Sequence, residues 1–256
     1  MTDAWDPAQY ERFKADRTRP FHDLVALLRD APGGKVVDFG CGTGELTAEL
    51  HRAVGAGETL GIDRSEAMLA GSAAVSSAAV TFSKGDLRDT AVVGPVDVVF
   101  SNAALQWVPD HAAVLAAWTA LLRPGGQLAV QVPSNADHPS HVVAAQVAAE
   151  MLGDPPPDPV RSVLAPERYA MVLDDLGFVE QHVRLQVYGS RLSSSAEVVE
   201  WVKGTNLVRF KECMSAPMFD EFVDRYRQRL VAVLGDHRPY FYPFKRVLMW
   251  GVRPSS

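Results

Sequence analysis

Val36-Val37-Asp38-Phe39-Gly40-Cys41-Gly42-Thr43-Gly44 is followed, further along the chain, by Gly61-Ile62-Asp63. The first run reads as a strand that ends in a glycine turn and opens a helix. The second reads as another strand with an acid at its tip. The glycines let the backbone approach a ligand closely, and the acid can accept hydrogen bonds from a ribose diol. Together they describe a pocket for an adenosine.

The spacing selects among nucleosides. A dinucleotide fingerprint reads G-x-G-x-x-G and holds a pyrophosphate at the helix N-terminus. Here Gly40, Gly42 and Gly44 alternate, and Glu45 stands where the third dinucleotide glycine belongs. A carboxylate there repels a pyrophosphate, and Asp38 adds a second acid. Two acids with no phosphate-holding Lys or Arg suit a cationic ligand. S-adenosylmethionine carries a sulfonium and an ammonium and no phosphate. The competing readings are a nicotinamide site and a turn that merely joins strand to helix.

The run Asp38-Phe39-Gly40-Cys41-Gly42-Thr43-Gly44 resembles motif I of the class I S-adenosylmethionine-dependent methyltransferases. That resemblance implies a Rossmann-like α/β fold, a seven-stranded, mostly parallel sheet with one antiparallel strand and a helical lid. The alternation of elements independently indicates a parallel sheet buried on both faces. Strand-like runs are 35–39, 59–63, 80–83, 96–101 and 127–132, and helical patterns cover 44–54, 65–74 and 111–122. A helix is expected over 7–30, ended by Pro32-Gly33-Gly34, and Arg123-Pro124-Gly125-Gly126 reads as a turn. Beyond residue 132 the pattern gives helices at 138–151 and 165–176 around a proline-rich loop, 153–159. A strand follows at 178–188, then helices across 195–234 and a last strand at 247–252. One methyltransferase domain, 1–256, is expected, with a helical cap at 1–30. A lid insertion at 195–235 falls between the last two strands.

Composition narrows the classes. The chain has 256 residues, 47% hydrophobic and 22% charged, which suits a soluble globular fold. Its net charge of −6 argues against a broad nucleic-acid footprint. No apolar run reaches membrane-spanning length and the N-terminus has no signal-peptide pattern. Cys41 and Cys213 are the only cysteines, and Cys41 lies in the glycine turn, so a reducing cytoplasm is expected. Oligomeric state is left open. His138-Pro139-Ser140-His141 reads as the start of a helix, and no metal is called for.

Asp63 ends the second strand and is read as the ribose acid; the bland alternative is a turn acid at the start of a helix. In the methyltransferases a turn acid after the third strand holds the adenine amine, and Asp86 matches it, with Leu87 beside it. Met68 can pack on adenine or in the core. The resemblance places Arg64 and Asn102 at the cofactor too. Asn102 and Trp107 follow the fourth strand, where groups face the ligand crevice. That segment lacks the Asn-Pro-Pro-Tyr signature of enzymes that methylate planar nitrogens.

The resemblance extends to the trans-aconitate methyltransferases within this class. It rests on Trp5-Asp6-Pro7-x-x-Tyr10-x-x-Phe13-x-x-x-Arg17-x-Arg19-Pro20 and Asn102-Ala103-x-Leu105-Gln106-Trp107-x-Pro109-Asp110-His111. Val130-Gln131-Val132-Pro133, Trp201-Val202 and Phe244-Lys245-Arg246 add to it. It implies esterification of one carboxylate of an unsaturated tricarboxylate. A carboxylate is already an anionic nucleophile at pH 7, so no strong base is required. The other carboxylates need cationic partners. Candidates are Arg17, Arg19 and His22, then Lys203 and Arg209, and Arg246. Arg17 or Arg19 alternatively holds the methionine carboxylate. Asn102, Gln106 and Tyr10 are candidates for positioning the attacking oxygen. The alternatives are another small carboxylic acid as acceptor, or a silent cofactor-binding subunit.

Overall fold

The computed structural model describes residues 13–91 and 93–255, apart from the side chains of Lys14, Ala15 and Arg17. Its strands are β1 Lys35–Phe39, β2 Glu58–Asp63, β3 Val80–Lys84, β4 Val96–Asn102, β5 Leu122–Pro133, β6 Glu180–Leu192 and β7 Tyr240–Val252. They form one sheet in the order β3-β2-β1-β4-β5-β7-β6. β1 pairs in parallel with β2 and β4, β2 with β3, and β4 with β5, whereas β7 runs antiparallel to β5. The central strands are apolar without alternation because both faces are covered. Val98, Val99 and Phe100 of β4 are fully buried.

The chain forms two compact units, each discontinuous in sequence. The sheet unit comprises Thr18–Pro133, Ser162–Gln186 and Arg246–Ser256. It holds α2 Glu45–Ala53, α3 Glu66–Leu69, α4 His111–Leu121 and α6 Pro166–Asp175. In its core the Trp118 ring of α4 lies flat on Phe39 of β1, with centroids 4.8 Å apart. The Trp118 indole N–H donates to the Leu87 carbonyl at 2.8 Å, which pins the loop after β3 to α4.

The second unit comprises Ser134–Arg161, Val187–Lys245 and the described part of Met1–Arg17. It contains α5 Pro139–Leu152, α7 Glu197–Lys203, α8 Val208–Lys211 and α9 Ala216–Leu234. The insertion read from the sequence at 195–235 therefore folds together with a segment that precedes β6. An aromatic cluster joins them, including Trp201, Phe222, Tyr226, Tyr242 and Phe244. The Tyr226 hydroxyl of α9 donates to the Ser140 carbonyl of α5 at 2.9 Å. His138 is the N-cap of α5 and accepts from the Ser140 N–H. Burial pushes its imidazole pKa down to about 4, with the nearby His141 acting in the same direction.

Several boundaries depart from expectation for local reasons. The first helix, α1 Lys14–Val25, stops short of residue 30; the turn after it is closed by Leu27 and Leu28 N–H donating to Leu24 and Val25 carbonyls. Residues 7–12 lie outside the described residues. The helix expected over 65–74 is one α-turn followed by a 3₁₀ stretch, Ala70–Ala74, where Ser72 Oγ donates back to the Leu69 carbonyl. Arg123–Gly126 bulges within β5. Val96 of β4 faces Leu122, but Val98 already faces Gln127. The last strand begins at Tyr240 rather than 247, although Pro243 interrupts its apolar run.

Trp118→Phe should keep the stack on Phe39 and lose the bond to Leu87, at about 1–2 kcal/mol. Trp118→Ala should cost about 3–5 kcal/mol. Urea unfolding of the two variants measures both, and a Trp118→Phe variant as stable as the wild type would show that the indole N–H contributes nothing.

Candidate active site

The site grows from the carboxyl ends of β1 and β2. The Gly40 and Cys41 N–H groups both donate to the Ile62 carbonyl, at 2.7 and 3.1 Å, and fold the glycine turn against the tip of β2. Gly40 has φ +83°, and a Cβ there would lie 2.1 Å from the Ala104 Cβ. Only glycine allows both the left-handed backbone and that approach. A Cβ on Gly42 would lie 3.2 Å from the Met68 Cε.

Two carboxylates converge on this turn. Asp63 accepts the Gly42 N–H on Oδ2 at 2.9 Å and the Ser65 N–H on Oδ1 at 2.8 Å. Each oxygen thus keeps a lone pair for a further donor, as a ribose diol requires. Asp38 is 4% exposed and accepts the Thr47 hydroxyl at 2.5 Å. Burial pushes its pKa up to about 7, and the charge of Asp63 adds to the rise against the lowering effect of Thr47. Burial, with the Asp38 and Asp63 charges, also pushes the Cys41 thiol far up, so it is not a thiolate nucleophile. Glu45 is exposed in the first turn of α2. An acid-lined, glycine-walled turn fits a cationic nucleoside and opposes a pyrophosphate.

Asp86 is engaged by Arg88. The guanidinium donates to both its oxygens at 2.8 Å, and the Arg88 N–H donates to Oδ1 at 2.9 Å. That hydrogen bonding holds the carboxyl pKa down to about 2. An adenine amine reaching Asp86 would have to share its oxygens with a fork already in place. Arg64 is exposed, and Met68 is half-buried with its N–H donating to the Ser65 hydroxyl.

At the end of β4, Asn102 Oδ1 accepts from the Gln131 amide at 2.8 Å. Ala103 adopts φ +57°, its N–H donating to the Gln131 carbonyl at 2.9 Å. Gln106 is buried and donates to the Ala103 carbonyl at 2.7 Å. The Gln106 carbonyl oxygen has no hydrogen-bond partner among the described residues. Trp107 is half-buried in the same turn. Arg246 of β7 pairs with Pro133, two positions beyond the Asn102–Gln131 pair, so it stands at the same edge of the sheet.

The remaining basic candidates are scattered. His22 meets Glu49 at 2.9 Å on the surface of the sheet unit, and Arg19 is exposed. Tyr10 and the Arg17 side chain lie outside the described residues. In the second unit Lys203 is half-buried in the last turn of α7. Arg209 is buried, donates to the Pro156 carbonyl at 2.6 Å and lies 3.8 Å from Asp158. Burial alone raises the Asp158 pKa, but the His141 hydrogen bond and the His141 and Arg209 charges bring it below its usual value. Among the described residues no group of three or more His, Cys, Asp or Glu could hold a metal.

Sequence reasoning missed Thr47, Arg88, Ala103 and Gln131. Gln131 left a trace: an amide inside the apolar run Ala129-Val130-Gln131-Val132 is costly unless bonded. Arg88 lies two residues after Asp86, close enough to fold back on it. Nothing in the sequence marks Ala103 as left-handed.

A family model described as a methyltransferase domain matches residues 36–126. A trans-aconitate 2-methyltransferase of Deinococcus radiodurans is 41% identical, covering 98% of this chain and 99% of its own. That of Mycobacterium tuberculosis strain H37Ra is 36% identical, covering 96% and 95%. The chain belongs to the trans-aconitate 2-methyltransferase family. It is a methyltransferase, and its donor is S-adenosyl-L-methionine. Among solved structures, an S-adenosylmethionine-dependent methyltransferase from Mesorhizobium loti aligns with TM-score 0.51 at 20% identity, covering 94% of this chain and all (100%) of that one. Haemonchus contortus phosphoethanolamine N-methyltransferase 2, in complex with S-adenosyl-L-methionine, aligns with TM-score 0.55 at 16% identity, covering 96% of this chain and 53% of that one. These likenesses carry the fold.

Asp63→Ala should weaken S-adenosylmethionine binding by roughly 1–3 kcal/mol. Calorimetry on the folded variant checks it, and unchanged affinity removes Asp63 from the site. Asp38 also makes the apo protein pH-sensitive. Its carboxyl titrates at about 7 in the folded chain against an ordinary 3.8. Between those values the unfolded chain has lost the proton and the native chain has kept it, so stability falls as pH rises and then levels off above 7. Asp38→Asn should therefore raise stability, by on the order of a few kcal/mol at pH 8 and less at pH 5. A thermal shift that does not grow with pH contradicts this.

Proposed function

We propose that the enzyme transfers the methyl group of S-adenosyl-L-methionine to one carboxylate of trans-aconitate, forming a monomethyl ester. The observation that carries this reading is end-to-end similarity to enzymes named for that reaction. The donor supplies an electrophilic methyl carbon on a positively charged sulfur. An oxygen–carbon bond forms, the carbon–sulfur bond breaks, and its electron pair stays on sulfur; no proton moves. The chain therefore needs no general base. It has to strip water from the attacking carboxylate and hold it in line with the methyl carbon.

Arg246 is the first candidate for a carboxylate that does not react, because it stands at the same edge of the sheet as Asn102. A full cation on the attacking oxygen blunts its nucleophilicity, so that oxygen is assigned to an amide such as Asn102. Gln106 suits that task less well than its sequence position implied, because its buried unsatisfied atom is an acceptor. His22 and Arg209 are occupied by Glu49 and by Asp158 with the Pro156 carbonyl. Lys203, Arg17 and Arg19 stay in the proposal as further partners. The lid role of 195–235 belongs to it too. Cys41 and Cys213 are unpaired, which supports a reducing cytoplasm as the compartment. None of the described helices is long and apolar enough to cross a membrane.

With methyl-labelled donor and trans-aconitate, label should appear in a product that releases methanol in mild base; base-stable label rules out an ester. Arg246→Ala should raise KM for trans-aconitate far more than for the donor, at about 2–4 kcal/mol in kcat/KM. Arg246→Lys should recover part of the loss, since a fork becomes a point charge. Wild-type kinetics in Arg246→Ala would refute the placement.

A further inference from the structure

The corner at the end of β4 is held from three sides by two glutamines. The Gln131 side chain donates to Asn102 Oδ1, its main-chain carbonyl accepts the Ala103 N–H, and Gln106 Nε2 donates to the Ala103 carbonyl. Ala103 is a left-handed residue that is not glycine, a conformation that persists only where its surroundings impose it. The next residue, Ala104, fills the space beside Gly40 that a side chain there would occupy. The corner is thus packed directly against the donor-binding turn. Both glutamines are buried, Gln131 at 1% and Gln106 at 5% exposure, and each leaves its side-chain carbonyl oxygen without a partner among the described residues. A buried acceptor left unsatisfied costs stability that an apolar side chain of the same shape avoids. Packing alone does not explain two of them at one corner.

We propose that Gln131 is a positioning residue that sets which end of the Asn102 amide faces a bound ligand. Its N–H occupies Asn102 Oδ1, so the end of Asn102 turned outward is the NH₂ group, a donor. The ligand group matched to it is a carboxylate. That carboxylate comes either from the methionine end of the donor or from the reacting arm of the acceptor. Without Gln131 the amide can turn over, and an oxygen then faces the anion. This inference rests on the methyl-transfer reading given above.

The test is a cycle of four full-length proteins: wild type, Gln131→Met, Asn102→Ala and the double variant. S-adenosylhomocysteine affinity and steady-state kinetics with trans-aconitate are measured on each. Gln131→Met should keep or raise the melting temperature yet lose about 10- to 100-fold in one readout. A loss in S-adenosylhomocysteine affinity assigns the carboxylate to the donor. A loss in kcat/KM for trans-aconitate at unchanged affinity assigns it to the acceptor. In the Asn102→Ala background the same substitution should change little, because its effect passes through Asn102. Asn102→Asp, which retains the Gln131 N–H contact and lacks only the NH₂ donor, should lose as much as Gln131→Met. Equal penalties for Gln131→Met with and without Asn102 overturn the proposal, as do unchanged affinity and turnover. A wild-type enzyme that makes no ester from trans-aconitate refutes the acceptor assignment instead; affinity then decides for Gln131, and no change there overturns it.

Discussion

Everything about this candidate site depends on holding two acids close to a glycine turn, one of them, Asp38, out of water. Asp38 and Asp63 sit at the tips of neighbouring parallel strands, and parallel pairing brings the two tips to the same edge of the sheet. Asp63 is organised by backbone N–H groups, which favour its charge. Asp38 is buried with one hydroxyl as partner, which disfavours its charge. β1 pairs with β4 on its other side, and Ala104, just beyond the end of β4, closes against Gly40. A side chain at Gly40 would push those two walls apart.

The fold was legible in the sequence wherever a physical period or a turn residue spoke for it. Val36–Phe39 and Val96–Ser101 have no polar alternation, and that marked them as buried parallel strands. The second unit was legible only in part. Its helices at 197–234 were visible, but their association with 139–152 depends on aromatic packing between segments far apart in the chain, which leaves no local pattern. In the site, Asp63 and the glycines stood out because strand ends and glycine spacing are one-dimensional features. Asp86 also stood out, yet its bidentate partner Arg88 did not, since nothing in the sequence says that the arginine turns back rather than outward. Charge alone was a poor guide to the basic residues. Arg209 and His22 looked like any other candidate cation until their partners were known.

The second unit shows how a small helical bundle can be assembled from pieces interrupted by strands. Its buried centre is aromatic, and its polar interior is tied together at several points: His141 to Asp158, Asp158 to the Val160 N–H, Arg209 to the proline-rich loop. A loop with as many prolines as 153–159 has few N–H groups to donate. Tying its carbonyls to an arginine is an efficient way to fix its path. Lys245, next to Arg246 in the chain, spends its charge on Asp137.

The acid pair also bears on what happens after transfer. The departing thioether is neutral, whereas the incoming donor carried a sulfonium. With the sulfonium held beside Asp38 and Asp63, transfer would leave the two carboxylates with less counter-charge, and Asp38, titrating near 7 in the folded chain, would be the one able to take up a proton. A pocket of that kind would discriminate fresh donor from spent product by electrostatics. Its preference would widen in alkaline solution and narrow in acid, which would tie exchange of one for the other to the proton concentration around the enzyme.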